Sequence, residues 1–123
     1  MNIVDTSLWL EYFAGTMLDK SIIDALTKSN ELYVPTICLY ETRKKFLNDG
    51  DVAKAVTAIE IMKNGIVISI NSEIALLASD VSKQYKLPMA DSIIYATAVL
   101  YDAEIYTQDK HFQNLERIHY FAK

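Results

Sequence analysis

The sequence predicts an α/β fold: a three-layer α/β/α sandwich around a mostly parallel sheet of four to five strands. Two observations carry this prediction. Short apolar runs alternate with amphipathic segments of helical length, and the few Gly and Pro residues lie where the periodicity changes. Right-handed crossovers between parallel strands would place helices on both faces of the sheet. Because 123 residues suffice for one hydrophobic core, we expect residues 1–123 to form a single domain.

The predicted strands are the short apolar runs of the chain. They are residues 3–5, 31–34, 66–70 and 104–107, with residues 118–121 as a candidate fifth strand. The run Ile-Val-Ile-Ser-Ile at 66–70 is the clearest pattern of a buried strand. Pro35 directly follows the second run and is expected to end that strand.

Segments with helical periodicity separate these strands, and each begins at a residue that favours a helix N-terminus. The predicted helix caps are Thr6 or Ser7, Thr36 and Asp91, and the other helices are expected to begin at Asp19, Asp51 and Ser72. Three glycines, Gly15, Gly50 and Gly65, each follow one of these helices, in the position that glycine favours after a helix C-terminus.

The composition argues against a membrane protein and against a disulfide-stabilised one. The longest apolar run, residues 74–78, is far shorter than the roughly 20 residues that a transmembrane helix needs. The single cysteine, Cys38, cannot form an internal disulfide or a Cys-x-x-Cys metal site. The first residues lack the positive charge and apolar stretch of a signal peptide, so we expect a cytoplasmic protein.

The charge balance narrows the possible nucleic-acid functions. Sixteen acidic and twelve basic residues give a net charge of −4. This argues against a uniformly basic nucleic-acid binder, because binding through counterion release needs clustered Lys and Arg. A nuclease remains compatible, since a metal-dependent active site is built from acids.

Four acidic residues fall at the carboxyl ends of predicted strands, the edge at which α/β sheets place their sites. Asp5 ends the first strand, and Asp109 follows the fourth. Asp91 begins a helix after a Leu-Pro loop, and Glu41 lies little more than one turn into the helix after the second strand. Each also has a structural explanation, as a helix cap, a turn residue or a solvated helix residue. Their coincidence at one edge favours a common site.

Clustered carboxylates repel one another and raise one another's pKa values unless a positive charge lies among them. A divalent cation is the simplest such charge, and oxygen ligands favour Mg²⁺ or Mn²⁺. Because the four residues include no histidine or cysteine, they argue against zinc.

Four features in this order resemble a known family. They are residues 3–7 (IVDTS), Pro35-Thr36 leading to Glu41, residues 87–98 (LPMADSIIYATA) and residues 106–109 (YTQD). With these features, the sequence resembles the PIN-domain ribonucleases, and most of all the VapC toxins of toxin–antitoxin pairs. The resemblance implies a PIN-like α/β/α sandwich, a homodimer, an RNA substrate and inhibition by a small antitoxin protein.

The resemblance also implies roles for individual residues. Asp5, Glu41, Asp91 and Asp109 match the acidic residues that hold Mg²⁺ or Mn²⁺ and catalyse hydrolysis, while Thr6, Ser7 and Thr107 match the hydroxyls that support them. Asp5 and Asp91 are expected to contact the metal directly. Glu41 and Asp109 are expected to bind it through water or to orient the attacking water. A metal-activated water would leave 5′-phosphate and 3′-hydroxyl ends.

One position departs from the family pattern. Many relatives carry a second acid two residues after the fourth aspartate, and this chain has His111 there. We expect the change to affect a peripheral ligand, and with it metal preference or pH dependence, and to leave the four acids intact.

Basic residues near the acids are candidate phosphate contacts. Arg43, Lys44 and Lys45 follow Glu41 on one predicted helix, and Lys110 follows Asp109. A solvated helix face explains the first three equally well. Trp9, Tyr12 and Phe13, at helical spacing, are expected to lie in the core or at a partner surface and not to stack on bases.

Other α/β classes fit less well. A receiver domain of two-component signalling needs an acidic pair after the first strand and a phosphoacceptor Asp after the third, but Asn71-Ser72 follows the third strand here. A phosphatase with an aspartyl nucleophile needs a second Asp at the position of Ser7. Two alternatives stay open: a free-standing PIN nuclease without an antitoxin, and a non-catalytic PIN module that binds RNA or protein.

Overall fold

A parallel sheet of five strands lies at the centre of the computed structural model, which describes residues 1–123. The strands are β1 (Asn2–Val4), β2 (Leu32–Pro35), β3 (Ile66–Ile68), β4 (Glu104–Thr107) and β5 (Ile118–Tyr120). Their order across the sheet is β3-β2-β1-β4-β5, and every neighbouring pair is parallel. The predicted fold class is therefore confirmed, including the candidate fifth strand.

Six α-helices connect the strands. They are α1 (Thr6–Phe13), α2 (Lys20–Thr27), α3 (Thr36–Asn48), α4 (Val52–Met62), α5 (Ser72–Tyr85) and α6 (Met89–Leu100). Two short 3₁₀ turns, Ser29–Glu31 and Lys110–Phe112, precede β2 and follow β4. None of the helices is both long and apolar enough to cross a lipid bilayer.

The core forms around the central strand. Ile3 and Val4 on β1 are fully buried, as are Val34 on β2 and Ile105 on β4. Strands covered by helices on both faces read as continuous apolar runs, which explains why β1 shows no polar alternation. Burial of each of these side chains contributes about 1.5–3 kcal/mol to folding. The core thus anchors β1 and β4 side by side.

The prediction that residues 66–70 form the clearest buried strand is wrong. The strand ends at Ile68 and lies at the edge of the sheet, where Ile66 and Val67 are 42% and 38% exposed. An apolar run reports the preference of a segment for a strand but not the place of that strand in the sheet. The place of β3 is set by strand pairing: β2 pairs with β1 on one side and with β3 on the other, and β3 has no second neighbour.

Two of the three predicted helix caps, Thr36 and Asp91, are wrong because a proline holds each cap position. Thr36 is the first residue of α3, and Pro35 holds the cap position before it. Asp91 lies in the first turn of α6, and Pro88 holds that cap position. Proline fits both places because its φ, −61° and −58° here, suits the entry to a helix. The Asp91 carboxylate therefore does not cap α6.

Candidate active site

Asp5 directly follows the central strand β1 and is only 3% exposed. It holds the cap position of α1, where Thr6 or Ser7 was predicted, yet its carboxylate accepts no backbone N–H from that helix. By contrast, Asp19 and Asp51 accept a backbone N–H from α2 and α4. The buried Asp5 carboxylate is therefore not used to cap the backbone of α1.

Two hydroxyl groups orient Asp5. Ser7 Oγ and Thr107 Oγ1 both donate to Asp5 Oδ2, at 2.9 and 2.8 Å. Burial raises the pKa of Asp5 from 3.8 to about 6, although these two hydrogen bonds lower it. The negative charges of Asp109 and Glu41 add to the rise, so both acids lie close enough to act on Asp5.

Glu41 joins this cluster from α3. Thr6 Oγ1 donates to Glu41 Oε1 at 2.8 Å, which links the first residue of α1 to the second turn of α3. Thr6 itself is buried. Glu41 is half-buried and hydrogen-bonded, whereas the alternative explanation expected a solvated helix residue.

Asp91 approaches from α6 and is only 9% exposed. Its pKa is raised from 3.8 to about 7, first by burial and then by the charges of Asp109 and Asp5. The nearby His111 lowers the pKa but does not restore its ordinary value. The negative charge of Asp5 thus acts on Asp91 across the end of the sheet.

Asp109 completes the group of four. Its backbone N–H donates to Thr107 Oγ1 at 2.9 Å, so the fully buried Thr107 hydroxyl connects Asp109 to Asp5. Asp109 Oδ1 accepts from the backbone N–H of His111 at 2.9 Å and caps the 3₁₀ turn that follows β4. The structure therefore brings together all four acids and all three hydroxyl residues that were predicted from the sequence.

His111, expected to replace a peripheral ligand, contacts two of the four acids. Its Nδ1 lies 3.1 Å from Asp91 Oδ2 and 3.1 Å from Asp109 Oδ1. The 3₁₀ turn that Asp109 caps places the His111 imidazole beside Asp91 and Asp109. The spacing of Asp109 and His111 was visible in the sequence, but the approach of Asp91 was not.

The donor chemistry of this cluster fits a divalent cation. Asp91, Asp109 and His111 offer ligand atoms that lie within 4.8 Å of one another. No lysine or arginine forms an ion pair with the four acids, and His111 is the only ion-pair partner of Asp91 and Asp109. The pKa values of Asp5 and Asp91 are raised first by burial and then by the negative charges of neighbouring acids, so the cluster would be stabilised by added positive charge. A hard cation with oxygen ligands would supply it.

A polar groove adjoins the acids. Its volume is about 690 Å³, comparable to a small-molecule site. Its lining residues are Ser7, Gln108, Asp109, Lys110, His111, Tyr120, Ala122 and Lys123. Of the predicted phosphate contacts, Lys110 lies in this groove, and Lys123 joins it from the end of the chain.

The other predicted phosphate contacts lie on α3. Lys44 and Lys45 share a shallow depression with Glu41, and Lys44 Nζ lies 5.6 Å from the centre of the Tyr40 ring. Lys45 Nζ forms an exposed ion pair with Asp49 at 3.1 Å. Arg43 lines the neighbouring depression with Lys44. Basic side chains thus flank the acids on two sides.

Trp9 is excluded as a base-stacking group, as expected. It is 2% exposed and stacks on Phe13 with ring centres 5.6 Å apart. Tyr12 packs edge-on against the same indole. These aromatic residues belong to the packing of α1.

A five-stranded parallel sheet with carboxylates gathered at the carboxyl ends of its central strands defines an α/β/α protein with an acidic site. Among such proteins, this chain belongs to the PIN domain family, whose sequence profile matches residues 3–118. We found no significant match among curated protein sequences.

Solved structures share the fold across the chain. A toxin–antitoxin complex from Klebsiella pneumoniae contains a chain that is 21% identical, with a TM-score of 0.80 and full coverage of both chains. VapBC2 from Rickettsia felis, bound to a DNA fragment from its promoter, is 12% identical with a TM-score of 0.77, covering 98% of this chain and 97% of that one. The sarcin-ricin loop cleaving toxin VapC20 from Mycobacterium tuberculosis is 16% identical with a TM-score of 0.70, covering 89% and 92%. The predicted resemblance to PIN-domain proteins of the VapC kind is confirmed.

Proposed function

We propose that this protein is the toxin of a toxin–antitoxin pair and that it acts in the cytoplasm as a divalent-metal-dependent endoribonuclease. One observation carries the proposal: four carboxylates from separate segments meet at the end of β1 and β4, and burial and mutual repulsion raise the pKa values of Asp5 and Asp91. Membership of the PIN domain family and the fold shared with toxin–antitoxin complexes support it.

Asp5 and Asp91 would hold Mg²⁺ or Mn²⁺, with Asp109 and Glu41 beside them. When bound, the cation supplies positive charge to the scissile phosphate and makes water more acidic. The protein contributes preorganisation: Ser7 and Thr107 fix Asp5 Oδ2, and Thr6 fixes Glu41 Oε1. Because these hydroxyls are already in place, the acids need no reorganisation when substrate arrives.

Glu41 is the proposed acceptor of the proton from the attacking water. Its Oε1 accepts a hydrogen bond from Thr6 Oγ1, which leaves Oε2 to take the proton. Attack by water on the phosphodiester leaves a 5′-phosphate and a 3′-hydroxyl. Attack by the ribose 2′-hydroxyl would instead leave a 2′,3′-cyclic phosphate, so the product ends distinguish the two routes.

The polar groove is the proposed path of the RNA strand beside the scissile phosphate. Lys110 and Lys123 offer positive charge there, and Gln108 and Tyr120 offer hydrogen-bonding groups. Lys44 would contact phosphates on the other side of Glu41. Because the chain carries a net charge of −4, RNA binding would depend on these local cations.

A small protein antitoxin and a second copy of the chain are the proposed protein partners. Val52 and Val56 lie one turn apart on α4 and are 60% and 48% exposed, with exposed Leu47 at the end of the neighbouring α3. Exposed apolar residues on adjacent helices suit a helical segment of a partner. We assign this surface to the antitoxin.

Cleavage of labelled total RNA by purified, antitoxin-free protein tests the proposed activity. We expect cleavage that requires Mg²⁺ or Mn²⁺, stops on chelation and is lost in Asp5→Asn and Asp91→Asn. Asp80→Asn, at an exposed position far along α5, is the matched control and should cleave normally.

Unchanged cleavage in folded Asp5→Asn and Asp91→Asn would overturn the site assignment. Growth arrest on expression, abolished by the same two substitutions and relieved by a protein encoded beside the gene, tests the toxin role. Cleavage without growth arrest would favour a free-standing nuclease. Neither cleavage nor arrest would favour a binding module.

A further inference from the structure

We propose that His111 is a nitrogen ligand of the cation and that it makes this site prefer Mn²⁺ over Mg²⁺. The inference rests on the proposed metal-dependent function and deepens it. The four acids alone are a set of hard oxygen donors, which suits both ions. An imidazole nitrogen among them favours transition metals over Mg²⁺.

The spacing of the donor atoms supports ligation. His111 Nδ1 lies 3.1 Å from one carboxylate oxygen of Asp91 and 3.1 Å from one of Asp109. Adjacent ligands of an octahedral cation with bonds of about 2.1 Å lie about 3.0 Å apart. His111 Nδ1 therefore already lies at the spacing of a neighbouring ligand from each carboxylate, and all three residues offer ligand atoms within 4.8 Å of one another.

The backbone holds His111 in this position. Its N–H is bound by Asp109 Oδ1, and the next residue, Phe112, is fully buried and stacks on Tyr95 with ring centres 6.4 Å apart. The imidazole side chain itself is 57% exposed, so it can adjust toward an ion without disturbing the core. An anchored backbone with an adjustable ring suits a metal ligand.

A different role for the ring makes the opposite prediction. If His111 only neutralises Asp91 and Asp109 when no metal is present, it competes with the cation, and its removal should tighten metal binding. If His111 is a ligand, its removal should weaken binding of Mn²⁺ more than that of Mg²⁺. The direction of the change separates the two roles.

The test is metal binding to the full-length protein without RNA, measured by calorimetry and by pulsed electron paramagnetic resonance of Mn²⁺. We expect His111→Ala to weaken Mn²⁺ binding about tenfold or more and Mg²⁺ binding less than threefold. His111→Asp should restore binding but lose the preference for Mn²⁺. His119→Ala is the matched control, because His119 pairs with Glu104 on β4 and should leave both affinities unchanged.

In the resonance experiment, we expect coupling of Mn²⁺ to a histidine nitrogen in the wild type and in His119→Ala. Labelling histidine with ¹⁵N should change the coupling frequency, and His111→Ala should abolish the signal. Mn²⁺ binding without this coupling, or equal loss of both ions in His111→Ala, would overturn the His111 proposal alone. Failure of the wild type to bind Mn²⁺ would overturn it together with the metal dependence of the proposed function.

Discussion

Thr107 Oγ1 donates to Asp5 Oδ2 at 2.8 Å, joining two residues that are 102 positions apart in the sequence. The contact exists because β1 and β4 are neighbouring parallel strands that end at the same edge. The same hydroxyl accepts from the backbone N–H of Asp109. One buried threonine thus connects two of the four acids and aligns them with the end of the sheet.

Replacing Thr107 by valine tests this connection. The valine removes the donor to Asp5 and leaves the Asp109 N–H without its partner, which should cost about 1–3 kcal/mol of stability. RNA cleavage should fall about tenfold or more, since Asp5 loses one of its two orienting hydrogen bonds. Thr107→Ser is the matched control and should retain most activity. Equal rates for the two variants in single-turnover assays would contradict this role.

The free energy of unfolding of the metal-free protein should fall as pH rises from about 4 to about 7. Asp5 and Asp91 have raised pKa values of about 6 and about 7 in the folded chain, so the folded state binds their protons more tightly than the unfolded state does. Unfolding therefore releases protons in this range and is favoured by higher pH. Chemical denaturation at several pH values, with chelator present, measures the effect.

The Asp5→Asn variant isolates the part that Asp5 contributes to this pH dependence. A rise from 3.8 to about 6 corresponds to about 3 kcal/mol between low and neutral pH. The substituted protein should lose that part of the slope and keep a smaller part due to Asp91, because the negative charge of Asp5 also helps to raise the pKa of Asp91. An unchanged slope in Asp5→Asn would contradict the prediction.

Adding Mn²⁺ should raise the thermal midpoint of the wild type. A cation that binds only the folded state stabilises it by about 2.7 kcal/mol at a hundredfold excess over its dissociation constant. The double variant Asp5→Asn/Asp91→Asn should show no such shift, because it lacks both carboxylates assigned to the ion. Differential scanning calorimetry with and without chelator checks this, and an equal shift in the double variant would place the ion elsewhere.

Reversing charge in the polar groove should weaken RNA binding. In an Asp91→Asn background that does not cleave, Lys110→Glu and Lys123→Glu should each lower affinity and reduce the slope of log affinity against log salt by about 1. Lys63→Glu, at the exposed end of α4, is the matched control. Fluorescence anisotropy at several salt concentrations measures both quantities. Unchanged slopes would show that RNA does not follow this groove.

Much of the fold was predictable because its signals are local. The helix α4 opens at Asp51 as expected, with Asp51 as its cap, and residues 104–107 form β4 with the predicted bounds. Helical and strand periodicities, caps and breakers all act within a few residues, so they can be recognised in a single sequence. The convergence of the four acids was also predictable, because parallel strands end at a common edge.

The sequence alone determined the order of the elements, the presence of an acidic edge and the hydroxyl residues beside it. Tertiary structure decided what depends on contacts between distant segments. It placed β3 at the edge of the sheet, freed Asp91 from a capping role, and set the His111 ring between Asp91 and Asp109. The physical reason is that strand pairing and helix packing fix the relative positions of distant segments, and no residue pattern records those positions before the chain has folded.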